Sequence, residues 1–197
     1  LKKLNLQKGD RVVAYVPNKI ESIICFLACA KNGIIWSSCS PDFGAQGVVD
    51  RFKQIEPKVF ITCDYYYYNG KKINILDKVE KILKQIPSIK KVIAFNYNKK
   101  ERESLKNFIN FEETLKNDLD EVFERFEFNH PIYILFSSGT TGKPKCITHG
   151  TGNVLIEHNK EFMLHCDIRD KEKLFYYTTT GWMLSLIHIS EPTRHLF

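Results

Sequence analysis

The chain has 197 residues, 43% of them hydrophobic, which is enough apolar mass for the core of one compact domain or most of one. Lysine and arginine number 29 against 23 aspartates and glutamates, giving a formal net charge of +6. The basic residues are dispersed, without the dense, aromatic-interleaved stripe of a nucleic-acid surface, so the composition predicts a folded chain with no nucleic-acid partner.

The six cysteines form neither a Cys-x-x-Cys pair nor a paired Cys/His spacing, which predicts reduced thiols and a cytoplasmic location. Cys25 and Cys29 lie four residues apart on a predicted helix and are expected to be buried. The apolar run around them is too short to span a bilayer, so no membrane span is predicted. Because residue 1 is Leu, we expect the chain to be part of a longer protein.

Strands and helices alternate from residue 9 to residue 95. Predicted strands lie in "GDRVVAYVPN", "IIWSSCSP", "KVFITCD" and "KKVIAF", and predicted helices are "KIESIICFLACAKNG", "AQGVVDRFKQIEP" and "INILDKVEKILKQIP". Gly33 and Pro57 are expected to end the first two helices. This alternation predicts an α/β fold with a parallel sheet and flanking helices.

Residues 97–130 are polar and are expected to form a surface excursion with short helical pieces. A strand is then predicted over 131–136, a short one over 145–150, a helix over 151–166 and a last strand over 173–180. No internal repeat or domain boundary is evident.

The segment "SSGTTGKPK" follows the strand at 131–136 and combines the groups that bind phosphate. Two glycines allow a turn in which successive N–H groups converge, four hydroxyls add hydrogen bonds, and two lysines add positive charge. The residues that supply these groups are Ser137, Ser138, Gly139, Thr140, Thr141, Gly142, Lys143 and Lys145. The spacing differs from G-x-x-x-x-G-K-[ST], and a flexible turn with solvated lysines is the alternative interpretation.

These nine residues resemble the phosphate-loop signature of the adenylate-forming superfamily, which includes acyl-CoA synthetases and luciferases. Further segments, among them "SPDFG", "DRFKQIEPK" and "YYTTTGWM", resemble the acetoacetate-activating branch of acyl-CoA synthetases. The resemblance covers residues 9–183 and implies a partial N-terminal domain of the adenylate-forming fold. It also implies activation of acetoacetate by ATP with Mg2+, through an acyl adenylate that coenzyme A (CoA) then captures.

Carried over by residue, the resemblance implies that the loop residues named above hold the ATP phosphates. Lys145, Thr140 and Thr141 would act in catalysis. Gly181, Trp182 and Met183 would approach the acyl carboxylate, although a buried Trp beside a Met is more often packing.

Lys71 and its neighbour Lys72 lie where relatives carry basic residues for the CoA phosphate, and a solvated pair is the alternative. The tyrosines at 65–68 could stack on an adenine, or they could alternate as half-buried strand residues. His149, His158 and His165 match no metal or nucleophile pattern. A helix cap or an ion pair would account for Asp42, Asp50 and Arg51 without any role in catalysis.

Residues 184–197 do not resemble the family and are similar to a translated sequencing adapter, so we expect a non-native tail after the domain fragment 1–183. The later family motifs would lie beyond Met183, and the isolated chain is expected to be inactive. Another short-chain acyl-CoA synthetase, for acetate or propionate, remains an alternative. So does a non-catalytic nucleotide-binding module.

Overall fold

The computed structural model describes residues 4–98, 108–115, 123–137 and 142–175. The strands are β1 (Arg11–Tyr15), β2 (Ile35–Cys39), β3 (Val59–Cys63), β4 (Tyr65–Tyr68), β5 (Lys71–Asn74), β6 (Lys91–Phe95), β7 (Ile109–Asn110), β8 (Pro131–Ser137) and β9 (Lys145–Gly150). The helices are α1 (Ile20–Lys31), α2 (Ala45–Phe52), α3 (Leu76–Gln85), α4 (Phe111–Thr114) and α5 (Thr151–Lys160). A 3-10 helix (Lys53–Ile55) continues α2 and a π-helix (Glu161–His165) continues α5.

Seven strands form one sheet in the order β7-β6-β3-β1-β2-β8-β9. All neighbouring pairs from β7 to β8 are parallel, which confirms the predicted α/β fold with a parallel sheet. β9 pairs antiparallel with β8 and is the exception. The short connection between these two strands explains this, because a parallel return requires a crossover of a dozen or more residues.

The central strands are apolar on both faces because helices cover both sides of the sheet. In β1, Val12, Val13, Ala14 and Tyr15 have no exposed surface, and β3 is buried along its whole length. A continuous apolar run of this kind is typical of a parallel strand between two helical layers.

The flanking helices lie on opposite faces of the sheet. The right-handed crossover rule places α1, which leads from β1 to β2, opposite α2 and α3, whose connections run the other way across the sheet. α1 and α5 line one common cavity. Cys25 and Cys29 of α1 are buried, as predicted. Among the described residues, no helix is long and apolar enough to cross a membrane.

A separate antiparallel hairpin, β4–β5, is absent from the sequence prediction. Its turn residues Asn69 and Gly70 have φ values of 51° and 75°, as the central positions of a type I′ turn require. The predicted alternation of the tyrosines in β4 is wrong, because the first two are buried and the last two exposed. The hairpin leaves the sheet, and its tip projects into solvent.

Three other predictions need correction or lie partly beyond the described residues. The helix predicted over 151–166 widens into a π-helix after Lys160, where Cys166 N–H bonds the carbonyl oxygen of Glu161 at 2.9 Å. Within the excursion at 97–130, residues 109–110 add the edge strand β7 to the sheet. Residues 173–175 are not a strand, and the remainder of the strand predicted to 180 lies outside the described residues.

Candidate phosphate-binding site

The glycine-rich loop leaves the sheet at the carboxyl end of β8. Tyr133, Ile134 and Leu135 are buried and hold β8 in the sheet between β2 and β9. Ser137 is paired with Lys145 across the β8–β9 ladder, so these two residues close the base of the loop. Ligands of open α/β sheets bind at the carboxyl ends of the strands, which is where this loop lies.

The structure describes four of the eight loop residues that the sequence proposes. Gly142, Lys143 and Lys145 are exposed, and Ser137 is half-buried. A methyl group added at Gly142 would meet no described atom within 4 Å, so the backbone is open to solvent there. The other four, Ser138, Gly139, Thr140 and Thr141, lie outside the described residues.

The charge at this edge of the sheet is uncompensated within the described part of the chain. Lys143 and Lys145 form no ion pair with any residue that the structure describes. Two exposed ammonium groups close to the exposed backbone of Gly142 suit a multiply charged anion. The geometry is therefore compatible with the phosphate binding that the sequence predicts.

His149 of β9 pairs with Tyr133 in the ladder, four residues beyond Lys145, and its ring centroid is 4.9 Å from that of Tyr133. Burial lowers the pKa of the His149 imidazole, because desolvation penalises its charged form. Its Nε2 atom is buried and has no hydrogen-bond partner in the structure as described. The described residues also contain no group of three His, Cys, Asp or Glu side chains that could hold a metal ion.

The turn after β2, which carries the "SPDFG" segment, lies at the same edge of the sheet. The hydroxyl of Tyr15 lies 2.7 Å from the carbonyl oxygens of both Pro41 and Phe43. Lys78 of α3 donates to the Pro41 carbonyl oxygen at 3.3 Å, and the Ser40 hydroxyl donates to Asp42. These bonds fix the turn against the ends of β1 and α3.

Asp50 and Arg51 of α2 bond separate partners. Gln46 Nε2 donates to the Asp50 carboxylate at 2.7 Å. The Arg51 guanidinium lies 4.7 Å from the centroid of the Phe43 ring and donates to the Gly47 carbonyl oxygen. These residues thus stabilise α2 and the preceding turn. Within the described part of the chain they form neither the ion pair nor the helix cap that the sequence offers as alternatives.

Lys71 and Lys72 lie on β5 of the hairpin that follows β3. Lys72 Nζ is 3.8 Å from the centroid of the Tyr65 ring, whereas Lys71 is exposed and pairs with Tyr68 in the ladder. Tyr65 also packs against Tyr97, at a ring centroid distance of 5.2 Å. The hairpin therefore presents positive charge beside an aromatic cluster.

The hairpin follows β3 and the loop follows β8, at the same edge of the sheet, but these two strands are not neighbours. β1 and β2 separate β3 from β8, and three strand spacings amount to about 14 Å. Lys71 is thus outside the immediate surroundings of Lys145. An extended ligand, or a second one, could contact the hairpin.

Gly181, Trp182 and Met183, together with the tail 184–197, lie outside the described residues.

Sequence reasoning missed two polar residues that shape this edge of the sheet, Asp64 and Gln54. Asp64 is fully buried and accepts hydrogen bonds from Tyr65 N, Asn96 Nδ2 and Tyr97 N at 2.8–2.9 Å. A carboxylate directly after a buried strand was the available signal for Asp64. For Gln54, whose partners are distant in sequence, there was none.

Comparisons with known proteins give a consistent result. The model of the family described as AMP-binding enzyme matches residues 1–195. Acetoacetyl-coenzyme A synthetase from Rhizobium meliloti (strain 1021) is 48% identical over 182 residues, which cover 89% of this chain and 28% of that protein. Acetoacetyl-CoA synthetase from Mus musculus is 41% identical over 193 residues, covering 93% of this chain and 29% of that protein.

A solved structure of acetoacetyl-CoA synthetase from Streptomyces lividans superposes with a TM-score of 0.92 at 39% identity. The match covers 98% of this chain and 30% of that one. The chain thus spans less than a third of the length of these relatives.

Proposed function

This chain belongs to the AMP-binding enzyme family, and we propose that the whole protein activates acetoacetate with ATP and transfers the acyl group to CoA. The observation that carries the proposal is the 48% identity to an acetoacetyl-CoA synthetase over 89% of the chain. The resemblance of the "SPDFG" and "DRFKQIEPK" segments to the acetoacetate-activating branch supports the same substrate.

In the proposed reaction, the carboxylate of acetoacetate attacks the α-phosphate of ATP to give an acyl adenylate and pyrophosphate. The thiol of CoA then attacks the acyl carbon and releases AMP. The barrier of the first step depends on positioning and on stabilising negative charge at the phosphate oxygens. We assign this to the loop 137–145, in which Thr140 and Thr141 donate hydroxyls and Lys145 supplies positive charge.

The other loop residues hold the phosphates without acting on the reacting atoms. Ser137, Ser138, Gly139 and Gly142 supply hydroxyl and backbone donors, and Lys143 adds charge at the loop exit. Magnesium enters with ATP, since in phosphoryl-transfer sites it is bound largely by phosphate oxygens and water.

Lys71 is proposed to contact a phosphate of CoA, because it is exposed at the same sheet edge as the loop and carries no described ion pair. Gly181, Trp182 and Met183 are proposed to border the acyl carboxylate. A cytoplasmic location fits the cysteines, which are free thiols, four of them buried in the core.

We further propose that residues 1–183 are a fragment of the large N-terminal domain and that residues 184–197 are not native. Sequencing the transcript independently tests this, and a full-length gene that encodes the same tail would refute it. The 197-residue chain by itself is expected to form no acyl-CoA, because it spans under a third of the length of its relatives.

The proposal is tested with the complete protein, by measuring AMP release with acetoacetate, acetate and propionate as competing acids in the presence of ATP, magnesium and CoA. A kcat/KM highest for acetoacetate is the expected result. Preference for acetate or propionate would reassign the substrate within the same reaction. Nucleotide binding without AMP release from any of these acids would contradict this enzymatic role.

A further inference from the structure

Gln54 connects the end of α2 to the exit of the glycine-rich loop. Its Nε2 group donates to the carbonyl oxygen of Pro144 at 2.9 Å and to that of Asp50 at 2.6 Å. Its Oε1 atom is 3.6 Å from the Sγ atom of Cys146, which donates to it. One side-chain amide thus bonds both residues that flank Lys145, from a position about 90 residues earlier in the chain.

The bond to Asp50 orients the amide of Gln54. Because both Nε2 hydrogens have acceptors and Oε1 has a donor, the side chain is held in one orientation by groups on two different elements. Gln54 lies in the 3-10 helix that continues α2, and α2 is anchored by the buried residues Val48, Val49 and Phe52. The amide is exposed, but its backbone is anchored by α2 and its hydrogen bonds orient it toward the loop exit.

The loop exit has little other support from side chains. Among the described residues, Gln54 is the one whose side chain hydrogen-bonds to the segment 142–146. Lys143, Lys145 and Cys146 are exposed, so packing contributes little to holding this segment. The β8–β9 ladder holds the backbone from Lys145 onward, beginning with the pairing of Lys145 to Ser137, so the bond from Gln54 to Pro144 supports the position directly before the ladder.

We propose that Gln54 is a positioning residue that holds the loop exit so that Lys145 is directed toward the nucleotide phosphates. This inference rests on the proposed function. Without the amide, the Pro144 carbonyl loses its bond and the exit segment samples more conformations. The ammonium group of Lys145 then spends less time at the phosphates, which weakens nucleotide binding without altering the site for the acid.

The first test uses the complete protein and measures the dissociation constant for ATP with magnesium by calorimetry, without acid or CoA. Gln54→Ala is expected to weaken binding by about threefold to tenfold, the value of one or two hydrogen bonds, and to leave the KM for acetoacetate unchanged. Gln54→Glu, which keeps an oxygen for Cys146 but places a carboxylate beside two carbonyls, should weaken it at least as much.

Gln85→Ala is the matched control, because Gln85 is also exposed and donates to a carbonyl four residues earlier, that of Lys81, at 3.3 Å. It does not contact the loop, so ATP affinity should be that of the wild type. An affinity of Gln54→Ala equal to that of Gln85→Ala would overturn the proposal.

The second test does not depend on catalysis or nucleotide. The rate of Cys146 alkylation by iodoacetamide is measured by peptide mass spectrometry, with exposed Cys166 as the internal reference. Gln54→Ala should raise the Cys146 rate severalfold and leave the Cys166 rate unchanged, whereas an unchanged Cys146 rate would show that Gln54 does not restrain this segment. If the wild-type protein binds no ATP, the proposed function fails, and the Cys146 rate still decides whether Gln54 orders the loop exit.

Discussion

The hydroxyl group of Tyr15, at the end of β1, lies 2.7 Å from the carbonyl oxygen of Pro41, in the turn that follows β2. The same hydroxyl is 2.7 Å from the carbonyl oxygen of Phe43. Tyr15 is completely buried, and this burial raises the pKa of its hydroxyl above a value that already keeps it protonated at neutral pH. A residue of the central strand thus fixes a turn at the sheet edge where the glycine-rich loop also lies.

Replacing Tyr15 by Phe should destabilise the protein without leaving a large cavity. The substitution removes the hydroxyl and leaves the Phe43 carbonyl without this donor, at a cost of about 1–3 kcal/mol. We expect a lower midpoint of thermal unfolding in the complete protein.

Tyr133→Phe is the control for this change, since Tyr133 is similarly buried but its hydroxyl has no hydrogen bond to a described residue. Its effect should be clearly smaller. Equal losses in the two variants would mean that the turn does not depend on the Tyr15 hydroxyl.

The buried carboxylate of Asp64 is expected to be a larger contributor to stability. Three N–H groups donate to it, from Tyr65, Asn96 and Tyr97, and they join the ends of β3 and β6. Asp64→Ala leaves these donors without their acceptor, so the free energy of unfolding should fall by about 3 kcal/mol, as for bonds to charged groups. Asp77→Ala, at an exposed site on α3, should cost under about 1 kcal/mol. A similar loss in both variants would contradict the structural role assigned to Asp64.

The sheet could be predicted from local sequence because its core strands are nearly pure runs of apolar residues. Strands buried on both faces are indicated by such runs, for example Val12 and Val13 in β1 and Phe60 and Ile61 in β3. The glycine-rich loop also stands out in the sequence, since its glycine, hydroxyl and lysine residues are concentrated in nine adjacent positions, and phosphate binding by this loop stays a prediction. Features that depend on the local sequence could therefore be predicted.

The errors have two different physical origins. The hairpin at Asn69–Gly70 and the antiparallel direction of β9 had local signals, an Asn-Gly turn and a connection too short for a crossover. In contrast, the bond from Gln54 to Pro144 joins residues far apart in sequence, and the π-helix after Lys160 breaks a helical periodicity without any change in composition. The Gln54 bond depends on a tertiary contact, and the local sequence gives no signal for the π-helix.

The ion pair of Asp10 with Lys58 should make stability depend on acid pH. Burial tends to raise the pKa of Asp10. Hydrogen bonds from Gln7 N–H and Lys58, with the charges of Lys58 and Arg11, outweigh it, so the pKa lies below its ordinary value. A lowered folded-state pKa gives stability that is present above about pH 4 and is lost as pH falls through the folded pKa.

The midpoint temperature of thermal unfolding should therefore be lower for Asp10→Asn than for the wild type at pH 7. The difference between the two midpoints should narrow below about pH 4. Lys58→Met should show part of the same narrowing, because it removes the partner located 2.8 Å from Oδ1. A gap that stays constant from pH 7 to pH 3 would rule out a contribution from Asp10 ionisation.

The proposed role of Lys71 concerns the second half of the reaction. In the complete protein, Lys71→Ala should raise the KM for CoA by about tenfold, the value of one charge-assisted hydrogen bond to phosphate. Pyrophosphate release measured without CoA should be unchanged, because Lys71 lies on the hairpin and not on the loop. Lys84→Ala, at an exposed position of α3, is the control. An unaltered KM for CoA would return Lys71 to the role of a solvated surface residue.

Replacing Lys145 distinguishes most clearly between an enzyme and a module that only binds nucleotide. It is exposed at the base of the loop and forms no ion pair with a described residue, so Lys145→Ala should change thermal stability very little. Loss of its charge at the phosphates should lower acetoacetate-dependent pyrophosphate formation on the order of 100-fold, and Lys145→Arg should restore part of the rate. Lys84→Ala again controls for the loss of a surface charge. If Lys145→Ala forms pyrophosphate at the wild-type rate, Lys145 is not catalytic, and if it alters only nucleotide retention in a protein that forms no pyrophosphate, the loop serves binding alone.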